Sequence, residues 1–358
     1  MTSLDRRQLV AAAFASALAG AAPRLRAQAS AVPAVQGAGA TFPAKVYARW
    51  GEQFTQAHGL KIAYKPTGSG DGIKQASERK VDFGGTDSPL VAEELAKKRL
   101  VQIPMLVGGV VPVVNLPGLD GRRLRLTGEL LGEAMAGRIE RWDDPRIAAL
   151  NPGARLPGQP IVRVVRADKS GTTEGFTRYL AQVSAGFKSG VGAGSLPKWP
   201  GEVIAEEGND GVAKAVKSTA GAIGYVGFDR VESTGLAPVQ LQNQAGLWLP
   251  PSEAGFRAAI LHSRLHTQGD DTASLLDMPG TDSWPITLTS FVLLDAAPSE
   301  AARIEPALRF LYWCFQRGDA LTRGTGFAPL PTAVQARLAA RFAEVRPASG
   351  GRPVYQVI

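Results

Sequence analysis

Three stretches of this 358-residue chain put glycine beside hydroxyl side chains where an apolar run gives way to an amphipathic one. They are Thr41-Phe42 after Gly37-Ala38-Gly39-Ala40, Ser69-Gly70 within Thr67-Gly68-Ser69-Gly70-Asp71-Gly72, and Ser170-Gly171-Thr172. Each reads as a loop that opens a helix. The first turn of a helix carries backbone N–H groups without an intrahelical partner and a partial positive charge, so three such turns facing one point would make an anion pocket. Taken singly each is ordinary, because Ser and Thr are common helix caps. Arg166 sets the third apart: its planar fork can hold an oxyanion through two N–H groups, and Asp168, two residues on, can orient it. That combination suits a tetrahedral oxyanion such as phosphate or sulfate.

Other chemistries find less support in the residues. Asp168 stands where the second glycine of G-x-x-x-x-G-K-[ST] would precede Lys169-Ser170, no G-x-G-x-x-G occurs, and neither Ser69 nor Ser170 lies in G-x-S-x-G. No catalytic residue is therefore assigned. A single cysteine and three histidines leave little for a metal centre; His262 and His266, four apart, could share an ion on one helix but lack a third ligand nearby. Cys314, among Tyr312, Trp313 and Phe315, reads as a small packed core residue. No metal and no cofactor are expected.

The loops need a frame, and short apolar runs alternating with amphipathic stretches from about Ala34 onward argue for an α/β chain. The spacing predicts strands at 35–40, 60–64, 81–85, 161–165 and 290–294, and a helix with Val46, Trp50 and Phe54 on one face that Gly59 ends. It also predicts helices from Gly72 to about Lys80, over Phe176 to Val183, and over Glu305 to Gln316. The apolar run Pro104 to Leu116, with no helix directly after it, suits a strand crossing between two domains. Composition agrees: 44% apolar and 20% charged residues, without ~18 consecutive uncharged apolar ones, exclude a mostly disordered chain and a polytopic membrane protein. The net charge of +8 comes from 40 basic and 32 acidic residues interleaved, with Lys97-Lys98-Arg99 and Arg122-Arg123-x-Arg125 the densest clusters. These read as solvated faces, and no nucleic-acid partner is expected.

Residues 1–29 read as an export signal. Arg6-Arg7-Gln8-Leu9-Val10 supplies a charged start, Ala11 to Ala22 a mildly apolar core, and Ala27-Gln28-Ala29 a small-residue cleavage site. The paired arginines, with Arg24 and Arg26 before the site, fit twin-arginine export.

Ten ordered motifs carry a resemblance over most of the remaining chain. They are Gly37-Ala38-Gly39-Ala40-Thr41-Phe42-Pro43-Ala44, Val46-Tyr47-Ala48-x-Trp50, Val81-Asp82-Phe83-Gly84, Gly108-Gly109-Val110-Val111, Trp142-Asp143-Asp144, Leu150-Asn151-Pro152-Gly153, Arg166-Ala167-Asp168-x-Ser170-Gly171-Thr172, Gly208-Asn209-Asp210-Gly211, Gly221-Ala222-Ile223-Gly224-Tyr225-Val226 and Trp284-Pro285-Ile286-Thr287. Together they resemble the periplasmic phosphate-binding proteins of high-affinity phosphate ABC transporters. The resemblance implies the two-lobed periplasmic binding protein type II fold, with a two-strand hinge and the ligand in the interlobe cleft. Lobe I would be 30–110 plus 285–358 and lobe II 111–284. It further implies a periplasmic, non-enzymatic receptor that hands inorganic phosphate to a membrane permease and its ATPase; a monomer is expected, since two lobes must move freely to open and close.

Carried over residue by residue, the resemblance makes Thr41, Phe42, Ser69, Ser170, Gly171 and Thr172 donors to phosphate and Arg166 the fixed cation, with Asp168 behind it. Asp87, in Thr86-Asp87-Ser88-Pro89, matches the carboxylate that accepts a hydrogen bond from a protonated phosphate oxygen. Asp71 and Lys169 stand where the family commonly has glycine; the reading preferred here is that Asp71 caps its helix and Lys169 points to solvent. The alternatives are a secreted phosphatase-like or phosphoester-binding relative, and a receptor for another tetrahedral oxyanion.

Overall fold

The computed structural model describes residues 34–119 and 124–356, so the export-signal expectation for residues 1–29 lies outside the described residues. Strand β1 (Val35–Gly39) runs parallel to β2 (Ile62–Pro66) and β3 (Phe83–Thr86), and helix α1 (Ala44–His58) makes the crossover from β1 to β2. Its buried face is Val46, Tyr47, Trp50 and Phe54, and it stops at Gly59, whose φ of 70° lets its N–H close on Thr55 O. Helix α2 (Ser69–Ser77) then crosses from β2 to β3.

Strand β4 (Leu100–Asn115) is the spine of the molecule. Leu100 to Gly109 pair antiparallel with a later strand, and Val110 to Asn115 pair with another. After β4 come β5 (Val162–Arg166), α3 (Gly171–Val183), β6 (Ile204–Glu206), α4 (Gly208–Ser218), β7 (Ala222–Gly227), α5 (Phe228–Thr234), β8 (Ile286–Asp295) and α6 (Ala301–Arg317). The main path through the sheet is β2-β1-β3-β8-β4-β7-β5-β6. Parallel pairs at each end flank antiparallel pairs at the centre.

Three elements run further than their composition predicts, each for a packing reason. β4 begins at Leu100 rather than Pro104, because Phe291 pairs with Pro104 and Ser290 with Leu106, leaving Met105 as an extra residue. The bulge carries the sheet past a proline that has no N–H to give. β8 begins at Ile286 rather than Ser290, since Thr287, Thr289 and Ser290 are buried on a strand covered on both faces. α6 starts at Ala301 and takes Pro306 inside it, because Ile304 already lies on the face that buries Ala307, Leu308 and Leu311.

The core is anchored by large apolar side chains whose polar edges find partners. The indoles of Trp50, Trp142 and Trp284 donate to the carbonyls of Gly318, Gly221 and Val110 at 3.2, 2.9 and 3.0 Å. Fully buried Phe54, Phe83 and Phe176 add on the order of 1.5–3 kcal/mol each. His262 ends one helix and His266 lies in the next, separated by Ser263, so no single helix presents both; among the described residues no cluster could hold a metal ion. Cys314 is a buried free thiol. Among the described residues no helix is long and apolar enough to cross a membrane.

Candidate functional site

The first side of the site is made by backbones packed closer than any side chain allows. A Cβ on Gly39 would lie 2.1 Å from Gly85 O, and one on Gly72 would lie 2.3 Å from the same oxygen and 2.7 Å from Gly39 Cα. Glycine at these places lets α2 rest directly on β1 and β3, which sets Ser69 at the helix start beside the end of β3. There Asp87 N–H donates to Ser69 Oγ at 3.2 Å. An oxygen that accepts from a backbone N–H turns its own proton elsewhere, so the buried Ser69 hydroxyl is left as a donor.

The second side follows from β5. Ser170 caps α3, its Oγ accepting from Thr173 N–H at 3.1 Å. Arg166 ends β5 with 2% of its surface exposed. Its Nε donates to Asp168 Oδ1 at 2.7 Å and its Nη2 to Asp168 Oδ2, which holds the guanidinium plane and leaves Nη1 buried without a partner. Asp168 also accepts from Gly208 N–H at 3.1 Å. Burial works against its charge, yet the Arg166 fork and that N–H hold its carboxyl below the ordinary value.

The two sides meet at Gly171. A Cβ there would stand 2.7 Å from both Asp87 Cβ and Ser69 Oγ, so one methyl group would force the loops apart. Gly70 N–H donates across the gap to Lys169 O at 3.0 Å. Thr41 and Thr172 are joined through Asn209, whose Nδ2 donates to their hydroxyl oxygens at 2.9 and 3.3 Å while its Oδ1 accepts from Gly227 N–H at 2.9 Å. That last bond fixes the amide orientation, so each threonine hydroxyl accepts from Asn209 and keeps its own proton to donate. An opening to solvent is lined by Thr41, Thr67, Asp168, Gly208 and Asn209.

The sequence-predicted residues thus converge. Ser69, Asp87 and Gly171 pack against one another, Thr41 and Thr172 are bridged by Asn209, and Arg166 is braced by Asp168. Phe42 can offer only backbone, since its ring is buried edge-on against Phe327 at 4.8 Å. The expectation that Asp71 caps its helix is corrected: α2 opens at Ser69 after Gly68 with no side-chain cap, and Asp71, inside the first turn, accepts from Gln75, while the Lys169 side chain is exposed as expected.

One acceptor stands among these donors. Asp87 is 5% exposed and its Oδ1 has no partner. Burial pushes its carboxyl up to about 7, and the charges of Arg166 and Arg230 pull it back only in part. A buried unpaired acceptor beside a buried unpaired guanidinium N–H fits an anion that carries a proton. Asn209 and Tyr225 escaped the residue-level reading, although both lie in motifs quoted above. Tyr225 shares a 2.8 Å hydrogen bond with Thr173 and steadies the Ser170 turn.

Comparison with known proteins gives the family and the fold. Residues 26–317 match the model of the PBP superfamily domain. A phosphate-binding protein PstS of Haemophilus influenzae is 40% identical over 301 residues, 84% of this chain and 90% of that protein. The one of Pasteurella multocida is 38% identical over 323 residues, 90% of this chain and 93% of that protein. Among solved structures, a phosphate-binding protein from Stenotrophomonas maltophilia superposes with a TM-score of 0.68 at 24% identity, covering 87% of this chain and 94% of that one. A high-affinity periplasmic phosphate-binding protein solved with phosphate gives a TM-score of 0.67 at 23% identity, covering 86% of this chain and 93% of that one. These structural likenesses establish the two-lobed binding-protein fold.

Proposed function

This chain belongs to the PstS family of phosphate-binding proteins within the PBP superfamily, and from that premise we propose that it captures inorganic phosphate in the periplasm and delivers it to an ABC transporter permease. The observation that carries the reading is that one buried acceptor, Asp87 Oδ1, and one buried cationic donor, Arg166 Nη1, are both left without a protein partner, with the Arg166 charge acting on the Asp87 carboxyl and two helix N-termini beside them. Phosphate is held by Thr41, Phe42, Ser69, Arg166, Ser170, Gly171 and Thr172 as donors and by Asp87 as acceptor. A micromolar site needs about 8 kcal/mol, which charge-assisted hydrogen bonds at ~1.5–3 kcal/mol each supply with a margin for desolvation and closure. The relatives are named as binding proteins, which supports a receptor without chemistry of its own; that it acts as a monomer is part of the proposal, because two lobes must move freely to open and close.

The ligand lies between two lobes that meet where β4 passes from β8 to β7, between Gly109 and Val110. The division proposed is 34–110 with the C-terminal part against 111 onward. We place the return crossing nearer Pro250 than the Trp284 expected from the sequence, a reading supported by the pairing of Leu275–Leu276 with β8 and by Phe256 standing against Gly109. Calorimetric titration of the ligand-stripped protein at pH 7 tests the function. One site of micromolar or better affinity for phosphate with no sulfate heat is expected, and a folded protein silent to phosphate would sink the reading in favour of a phosphoester. Export by the twin-arginine route is proposed for residues 1–29: a reporter fused to them should stay inside cells that lack that translocase, and its export there would mean a general secretory signal.

A further inference from the structure

We propose that Arg230 is a positioning residue for the anion site, turning the Thr41-Phe42 peptide so that the Phe42 N–H is presented to the ligand. Arg230 lies on α5, 2% exposed, in a segment where no recognised motif marks it. Its Nη2 donates to Thr41 O at 3.0 Å and its Nη1 to Phe42 O at 3.1 Å, two consecutive carbonyls taken by one planar fork. No peptide bond among the described residues is cis, and in a planar trans peptide the C=O and the following N–H point in opposite directions. Drawing Thr41 O toward Arg230 therefore turns Phe42 N–H away from it. Phe42 O can be drawn the same way at no cost in donors, because the next residue, Pro43, has no N–H. Among the described residues neither Thr41 N–H nor Phe42 N–H meets a protein acceptor.

The guanidinium is itself held in place. Its Nε donates to Asp210 Oδ1 at 2.9 Å and its Nη1 to Asp229 Oδ2 at 2.7 Å, and Lys45 Nζ lies 3.5 Å from the same Asp229 oxygen. Two cations face two carboxylates, so Arg230 acts by direction rather than as a bare counter-ion. Lysine keeps the charge but offers no fork, which makes Arg230→Lys the informative partner of Arg230→Met.

This inference rests on the phosphate reading, and the test separates the two. In the phosphate-free protein the carbonyl ¹³C resonances of Thr41 and Phe42 report the contact directly and should move in both variants; unchanged resonances overturn the proposal whatever the ligand. With phosphate bound, Arg230→Met should weaken affinity about tenfold at unchanged stoichiometry, the worth of one hydrogen bond, and Arg230→Lys by about threefold. Amide exchange of Phe42 should speed up by about the same factor while Gly171 and Thr172 keep their protection. Equal loss at all three amides, or affinity within twofold of the parent, overturns the positioning role. If the methionine variant does not fold, the lysine variant decides by the same readings. Moved resonances in a parent protein that gives no phosphate heat would uphold the contact and sink only the function proposed above.

Discussion

Arg166→Ala is expected to weaken phosphate binding by ~10³-fold, since truncating one partner of a buried, hydrogen-bonded charge pair costs ~2–5 kcal/mol and each 1.4 kcal/mol is a decade in Kd. Two losses add. The anion forfeits the buried Nη1 donor, and Asp168, half-buried and held by Arg166 through two N–H groups, becomes an uncompensated negative charge beside the ligand. Arg166→Lys should recover little, because a point charge cannot brace Asp168 with one edge and keep another N–H aimed forward. Calorimetry on the ligand-stripped variants reads the effect, with a thermal melt to show that they are folded. Near-normal affinity in a folded Arg166→Ala protein would remove Arg166 from the site.

The second large effect is on selectivity. In Asp87→Asn the sulfate-to-phosphate discrimination should collapse by ~10²–10³-fold, because a site that requires a hydrogen from its ligand rejects the analogue lacking it by ~10⁴ or more. An asparagine can turn its NH₂ to a bare oxygen or its C=O to a protonated one, so it no longer distinguishes the two anions. Sulfate heat should appear in the variant where the parent protein gives none. A variant that keeps phosphate and still refuses sulfate would show that Asp87 is not the gate.

The same carboxyl gives a pH signature in the phosphate-free protein. Its folded value of about 7 lies above the ordinary ~3.9, so between pH 4 and 7 the folded state binds more protons than the unfolded one. Stability contributed at this position is therefore present below pH 4 and lost as pH rises toward 7. The melting temperature of the parent protein should fall relative to that of Asp87→Asn across this window, and parallel curves would mean that the carboxyl is not held neutral by burial.

How much of this was legible in the sequence depends on the range over which each feature is fixed. The α1 face and its Gly59 stop were readable because a helical repeat and a left-handed glycine are local properties. The Ser170 cap and the Arg166 to Asp168 pair were readable because the partners lie two to three residues apart. Strand ends were read less well. Pro104 and Ser290 look like stops until a bulge and a covering layer supply what the strand lacks.

Neighbours along the chain were enough to set the α/β alternation, the hydroxyl and glycine loops, and the cation with its orienting carboxylate. That these loops face one another, with Gly171 as the point of contact, comes from the folded structure. It alone gave Asn209 and Arg230 their tasks, through hydrogen bonds to residues 168 and 188–189 positions away. It alone set the proton on Asp87, because a carboxyl's affinity for a proton answers to the dielectric and the charges packed around it. Those surroundings are brought in by folding from strands and helices far apart in the chain.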